Sequence, residues 1–305
     1  MTSLVRPKIL RLGTRSSPLA RYQTEKIISA LKSRFPEERF ETRLFQSLGD
    51  RDQDSSLEVL TKKAASPSIF ADEIEKALRS GEIDAAVHSL KDLSVSDQPD
   101  LCLAALPERE DARDALVSAR GWNLARLPKG ARIGTCSLRR SLQLLTLRPD
   151  LRVVPVRGTV EARLKKMEEG EYEGLILAVA GLHRLGLHER ISEYFSPEQM
   201  LPAPGQGALA VQCRRNDTAV LTLLSHLDDK TVRACVETER SFLKTWGLDY
   251  DAPIAAWAEF SQEAIVLHAA HLDFGDSHRV VRTQVKGKDP MAIAREVKSQ
   301  IEATG

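Results

Sequence analysis

The sequence predicts an α/β fold made of two lobes and a small C-terminal α+β domain, and three observations carry that prediction. Apolar strand patterns alternate with helical ones through the first ninety or so residues. One opening, a strand running through Gly-Thr into a Ser-capped helix, occurs twice, as Gly13-Thr14-Arg15-Ser16-Ser17 and as Gly134-Thr135-Cys136-Ser137-Leu138-Arg139. Near the C-terminus, three strand patterns follow one another without a helix between them.

The elements follow in order. Residues 8–13 read as a strand, and Ser17 with Pro18 supplies an N-cap and a first-turn proline for a helix to about Phe35. A strand over Phe40 to Gln46, a polar, breaker-rich stretch from Asp50 to Ser68, a helix over Phe70 to Arg79 and an apolar strand from Ile83 to His88 complete a βαβ pattern, the signature of a parallel sheet. From about Asp111 the pattern restarts with strand Arg132 to Gly134, helix Ser137 to Leu147, strand Leu151 to Val156, helix Val160 to Glu169 and strand Leu175 to Val179. Ala208 to Cys213 is expected to return to the first lobe. Helix Asp229 to Trp246 then leads to strands Ile254 to Phe260, Ala264 to His271 and Val280 to Val285, and to a last helix from Asp289-Pro290. The expected domains are 1–107 with 205–225, 108–204 and 226–305.

Composition excludes several classes of function. The 305 residues carry 44 Lys plus Arg against 43 Asp plus Glu, so no global field favours nucleic acid or an anionic membrane. The longest apolar run, Gly174 to Leu182, is far short of the roughly 18 residues that span a bilayer, and the first residues lack the apolar core of a secretory signal. A soluble, cytoplasmic, monomeric protein is the expectation. Cys102, Cys136, Cys213 and Cys235 show no CxxC spacing, so reduced thiols and no metal are expected.

An anionic ligand must therefore be met by local groups. Arg139 and Arg140 fall in the first turn of a helix, where the dipole disfavours cations by up to about 1 kcal/mol each. An anion held by N–H groups and guanidinium forks would offset that cost. For one such pair in isolation, two solvated arginines on an exposed turn are the preferred reading. Arg15, Arg157, Arg163 and Arg184 also fall at strand ends and helix starts, the usual ligand-binding end of a parallel sheet, which favours an anion-rich ligand in a cleft between the lobes. The strand through His88 ends in Ser89-Leu90-Lys91-Asp92, a place where a carboxylate beside a cation suits proton transfer or stabilisation of a cationic intermediate. On local grounds Lys91 and Asp92 read equally as a solvated pair, and His88 as a satisfied core histidine.

Taken together, the motifs resemble the porphobilinogen deaminase (hydroxymethylbilane synthase) family, from Leu10 to about Phe260. The resemblance is carried by Gly13-Thr14-Arg15-Ser16-Ser17-Pro18-Leu19-Ala20, Ala86-Val87-His88-Ser89-Leu90-Lys91-Asp92, Glu108-Arg109-Glu110-Asp111, Gly134-Thr135-Cys136-Ser137-Leu138-Arg139-Arg140, Leu177-Ala178-Val179-Ala180-Gly181-Leu182 and Pro204-Gly205-Gln206-Gly207-Ala208. It implies two lobes like those of a periplasmic binding protein, and a transferase that joins four porphobilinogen molecules head to tail with release of ammonia, in tetrapyrrole and heme biosynthesis. It further implies that Asp92, with Lys91 beside it, is the catalytic carboxylate, stabilising an azafulvene-like cation. Arg15, Arg139, Arg140, Arg157, Arg163 and Arg184 would hold acetate and propionate groups, with Ser17, Asp50, Lys63, Thr135, Ser137 and Gln206 as polar neighbours.

The sequence departs from the family in one decisive place. The loop that carries a cysteine in the family, the anchor of a dipyrromethane cofactor, reads Gly247-Leu248-Asp249-Tyr250-Asp251-Ala252-Pro253, and Tyr250 stands at the anchor position. A phenol with a pKa near 10 is a weaker nucleophile at neutral pH than a thiol near 8.5, so covalent attachment is expected to be absent. Pro67, Pro155 and Thr159 also replace residues frequent in the family, and Cys136 stands where serine is usual. Two alternatives follow: a divergent enzyme using a non-covalent acceptor or making a shorter product, and a non-catalytic binder of pyrroles or polycarboxylates. A pure binder has no need of Asp92 among its arginines, so that residue favours chemistry.

Overall fold

The computed structural model describes residues 9–47, 71–96, 98–248, 253–273 and 279–304. Asp50, Lys63, Pro67 and Tyr250 lie outside the described residues. In chain order the first elements are β1 (Ile9–Arg15), α1 (Pro18–Arg34), β2 (Arg39–Phe45), α2 (Asp72–Ser80), β3 (Ala85–Ser89), β4 (Leu101–Ala105) and β5 (Asp114–Ser118). Next come β6 (Arg132–Gly134), α3 (Leu138–Leu147), β7 (Arg152–Val154), α4 (Val160–Glu168), β8 (Gly174–Ala178), α5 (Val179–Arg184) and β9 (Glu193–Tyr194). The remainder is β10 (Leu209–Arg214), α6 (Thr218–Ser225), α7 (Lys230–Thr245), β11 (Ile254–Ser261), β12 (Ala264–Leu272), β13 (Val280–Gly287) and α8 (Pro290–Thr304).

These elements form two compact units, Met1–Arg109 with Ala208–Arg233, and Glu110–Gly207 with Ala234–Gly305. The second segment of the first unit begins and ends later than 205–225, and the C-terminal sheet belongs to the same unit as the second α/β sheet. Each unit is built on a mixed five-stranded sheet with one design. In the first the order is β2-β1-β3-β10-β4, and in the second β7-β6-β8-β5-β9. Three parallel strands lead each sheet, and the fourth, β10 or β5, runs antiparallel. The twice-used Gly-Thr opening marks equivalent places in these sheets, the ends of β1 and β6. Packing is close there: a Cβ on Gly13 would sit 2.3 Å from Ile83 Cδ1, and one on Gly134 2.6 Å from Leu175 Cδ2, so a side chain would have to displace those methyl groups.

Alternation along the strands divides the cores. In the first unit Val87 and Val211 join Ile27 and Leu31 of α1 and Leu223 of α6, while Ala86 faces Ile74 and Leu78 of α2. In the second, Leu175 and Leu177 pack with Leu164 of α4, and Ile176 with Leu144 of α3. Helix α3 also sends Leu142 against Ala255 and Ala270 of the antiparallel sheet β11-β12-β13. Burying a leucine in this way stabilises by roughly 1.5–3 kcal/mol. Glu239 of α7, fully buried, accepts from the Gly205 and Ala258 N–H groups at 2.6 and 2.7 Å and so ties the Pro204–Ala208 loop to β11. All four cysteines are free thiols, and Cys102 faces Cys213 across β4 and β10 with 3.9 Å between the sulfurs. Among the described residues, no helix is long and apolar enough to cross a membrane and no acidic, His or Cys cluster could hold a metal.

Candidate active site

In the first unit β3 lies between β1 and β10 and runs into a 3₁₀ turn, Leu90–Asp92. The Leu90 N–H donates to the Ala208 carbonyl at 3.1 Å, and the Leu93 N–H closes the turn onto Leu90. Asp92 is thereby placed at the carboxyl end of a parallel strand, where α/β sheets bind ligands. A recess of about 70 Å³ opens beside it, lined among others by Arg15, Ser17, Gln23, His88, Ser89 and Asp92. Arg15 arrives as the last residue of β1, and Ser17 as the N-cap of α1, its hydroxyl accepting from the Ala20 N–H at 3.3 Å. Gln23, one turn further along α1, donates to the Ser89 hydroxyl at 3.0 Å. Lys91 is not part of this lining.

His88 is held below its ordinary pKa, down to about 4, chiefly by burial and further by the Arg15 charge, against the opposing hydrogen bond to Gln212. Its Nε2 lies 3.2 Å from Gln212 Oε1. Gln212 Nε2 donates to Glu75 at 3.1 Å, and that carboxylate, 2% exposed, also receives Gln98 Nε2 at 3.0 and 2.8 Å.

The second unit brings two of the predicted arginines, Arg139 and Arg140, around a residue the sequence did not point to, Asp114. Arg139 and Arg140 are neither solvated nor open to a ligand on all sides: they are 4% and 7% exposed and flank the fully buried carboxylate of Asp114. Arg139 Nη1 lies 2.7 Å from Asp114 Oδ2 and donates to the Leu201 carbonyl at 2.7 Å. Arg140 adds a bond to the Ile176 carbonyl at 3.0 Å. Gln206 belongs to the same network, donating to Asp114 Oδ1 and to the Ala112 carbonyl at 3.0 and 2.7 Å. Burial lowers the Arg139 pKa despite the nearby carboxylate. Two guanidiniums thus share one carboxylate at the start of α3, which Ser137 caps through the Arg140 N–H.

Thr135 accepts from the Ser137 N–H at 3.1 Å, and Cys136 donates its thiol to the Val156 carbonyl at 3.2 Å, so that sulfur packs beneath the helix start. Arg184 is buried and donates to the Gly207 carbonyl at 2.6 Å. Arg157 and Arg163 stay half-buried on either side of Gly158, with Arg163 Nε on the Gly158 carbonyl at 2.9 Å. Thr159 caps α4 through the Ala162 N–H. Threonine is a good N-cap, so Thr159 suits this helix start. Sequence reasoning missed Gln23, Glu75, Asp114 and Gln212. Only Asp114 carried a signal, as an acid heading the apolar run Ala115–Val117 in a chain with two arginines to neutralise.

The family model described as porphobilinogen deaminase, dipyromethane cofactor binding domain, matches residues 10–222. The chain belongs to the porphobilinogen deaminase family. It is 46% identical to the porphobilinogen deaminase of Acidothermus cellulolyticus over 90% of this chain and 82% of that protein. For the porphobilinogen deaminase of Roseiflexus sp. the identity is 43%, over 93% and 92%, and for that of Bacillus pumilus 39%, over 98% and 95%. Among solved structures, the methionine-binding protein MetQ is 14% identical over 73% of this chain and 90% of its own, with a TM-score of 0.47. The segment matching the porphobilinogen deaminase model contains Asp92 and all six predicted arginines, and it ends before Tyr250.

Proposed function

We propose that the chain is a hydroxymethylbilane synthase-type transferase that condenses porphobilinogen, or a close pyrrole, with loss of ammonia. The observation that carries this reading is the Asp92 carboxylate sharing one small recess with Arg15 at the carboxyl end of β3. Loss of ammonia breaks a C–N bond with the electron pair leaving on nitrogen, so positive charge develops on the pyrrole. A preorganised carboxylate stabilises that charge, and a half-buried one such as Asp92 does so more strongly than a fully solvated one. Arg15 would pair with an acid side chain of the pyrrole, and Arg157 and Arg163 with those of a growing chain. The buried set of Arg139, Arg140 and Arg184 would supply a fixed positive field rather than mobile forks.

The donor chemistry fits the carboxylates of a dipyrromethane, for which half-buried Arg157 and Arg163 are suited. When bound, that group supplies the acceptor carbon for the first condensation. The anchor does not fit covalent attachment, because Tyr250 replaces a thiol and Cys136 is engaged with a backbone carbonyl. We therefore favour a primer held through its carboxylates alone. A monomeric protein acting in the cytoplasm on a small molecule completes the reading.

Incubating the purified protein with porphobilinogen, while following ammonia release and pyrrole consumption, tests it. Turnover that disappears in Asp92→Asn with binding kept is the expected result. Binding without turnover in the unaltered protein would leave a non-catalytic pyrrole binder instead.

A further inference from the structure

We propose that Glu75, acting through Gln212, fixes His88 as its Nε2–H tautomer and so presents the Nδ1 lone pair to the Asp92 recess as a neutral acceptor for an N–H group of the substrate. The argument begins at the buried end of the chain of contacts. Gln98 Nε2 is directed at both oxygens of Glu75, and the Arg79 guanidinium lies 3.7 Å from one of them. With donors on those sides the carboxylate acts as an acceptor, so Gln212 must offer it the amide nitrogen, as the 3.1 Å contact to Oε1 records. The carbonyl oxygen of Gln212 then faces His88 Nε2 at 3.2 Å and can only accept. The ring hydrogen of neutral His88 is therefore on Nε2.

Nδ1 is what remains. It has no hydrogen-bond partner among the described residues, while the ring itself lines the recess that holds Asp92, Arg15 and Ser89. The charged groups facing the ring are Arg15 and Asp92 in the recess, with Glu75 behind Gln212. Burial and Arg15 keep the imidazole neutral, so a lone pair rather than a second N–H points at the ligand. Arg15, the other nitrogen base in the lining, is a cation. A pyrrole brings a ring N–H and a protonated aminomethyl group, and a neutral acceptor beside a carboxylate can take one while the carboxylate takes the other. The identity of that donor rests on the proposed pyrrole chemistry; the tautomer rests on the protein geometry alone.

Two measurements test the inference. Long-range ¹H–¹⁵N correlation on protein labelled in its histidines should show His88 as the neutral Nε2–H tautomer throughout pH 5.5–8. In Glu75→Gln the Gln212 amide loses its fixed orientation, so the tautomer should become mixed or reversed. That variant should also raise KM for porphobilinogen about tenfold, the scale of one hydrogen bond, with a smaller change in kcat. His88→Gln, which keeps an acceptor oxygen, should retain a lower KM than His88→Leu. An Nδ1–H tautomer or an imidazole titrating near its ordinary value in the unaltered protein overturns the proposal even if no variant folds. So does an unchanged tautomer and KM in Glu75→Gln, or equal KM for the two His88 variants. Should the unaltered protein not consume porphobilinogen, the functional reading falls, and the spectra still decide the state of the ring.

Discussion

Asp114 Oδ1 receives both Nε and Nη2 of Arg140, at 3.0 and 2.7 Å. Together with Arg139 on the other oxygen, this makes Asp114 the shared counter-charge of two buried cations. Removing it strands both. Asp114→Asn should lower stability by about 3–5 kcal/mol, the usual cost of breaking a buried ion pair from one side. Denaturant unfolding measures this, and a loss below about 1 kcal/mol would show that solvent or neighbours already neutralise the pair.

The two kinds of arginine should behave differently. Arg157→Leu is expected to weaken porphobilinogen binding by about 1.5–3 kcal/mol, the worth of a charge-assisted hydrogen bond, while leaving the unfolding midpoint almost in place. Arg140→Leu strips a buried carboxylate of one of its two guanidinium partners and should lower the midpoint before any effect on binding can be read. Titration calorimetry and thermal unfolding on the same samples separate these outcomes.

His88 makes stability depend on pH in a defined window. Its folded pKa, about 4, lies below the ordinary 6.5, so between those values the unfolded chain binds more protons than the folded one. The contribution is complete above pH 6.5 and is lost as the pH falls toward 4, by roughly 3 kcal/mol at most. His88→Gln should lack this component: its unfolding free energy should fall less than that of the unaltered protein between pH 7 and 4.5.

Tyr250 leads to a prediction about mass. The purified protein should show the mass of the bare chain, and any oligopyrrole present should come away on denaturation. An acid-stable dipyrromethane adduct mapped to Tyr250 or Cys136 would refute this. Tyr250→Cys should acquire such an adduct if the loop can present a thiol to bound pyrrole.

Much of the fold was legible because its signals are local. Ser17-Pro18, Ser137 and Thr159 are N-caps whose partners lie three residues away, and the parallel strands β1 and β3 announce themselves as apolar runs ending in polar turns. Five-residue strands such as β4 and β5, and the short helices α5 and α6, were not assigned, since runs of that length do not separate strand from helix by periodicity. At the site, position was legible and environment was not. Asp92 and Arg15 follow from strand ends. The burial of Arg139 and Arg140 depends on Asp114, whose Oδ1 meets Arg140 across a sequence separation of 26, and the state of His88 depends on Gln212, 124 residues away. His88 is indeed a core histidine, but among the described residues only its Nε2 finds a hydrogen-bond partner.

Strand β10 reaches the first unit from the far side of the chain, after the whole Glu110–Gly207 segment has been made. On the ribosome, a nascent chain that has emerged only as far as residue 109 has β3 and β4 but not the strand that pairs with both, and each presents an open edge of the kind that recruits other chains. The Leu90 N–H likewise waits for the Ala208 carbonyl. The turn that carries Asp92 is thus among the later features to set during synthesis, and a polypeptide cut short before residue 208 would leave it without its anchor.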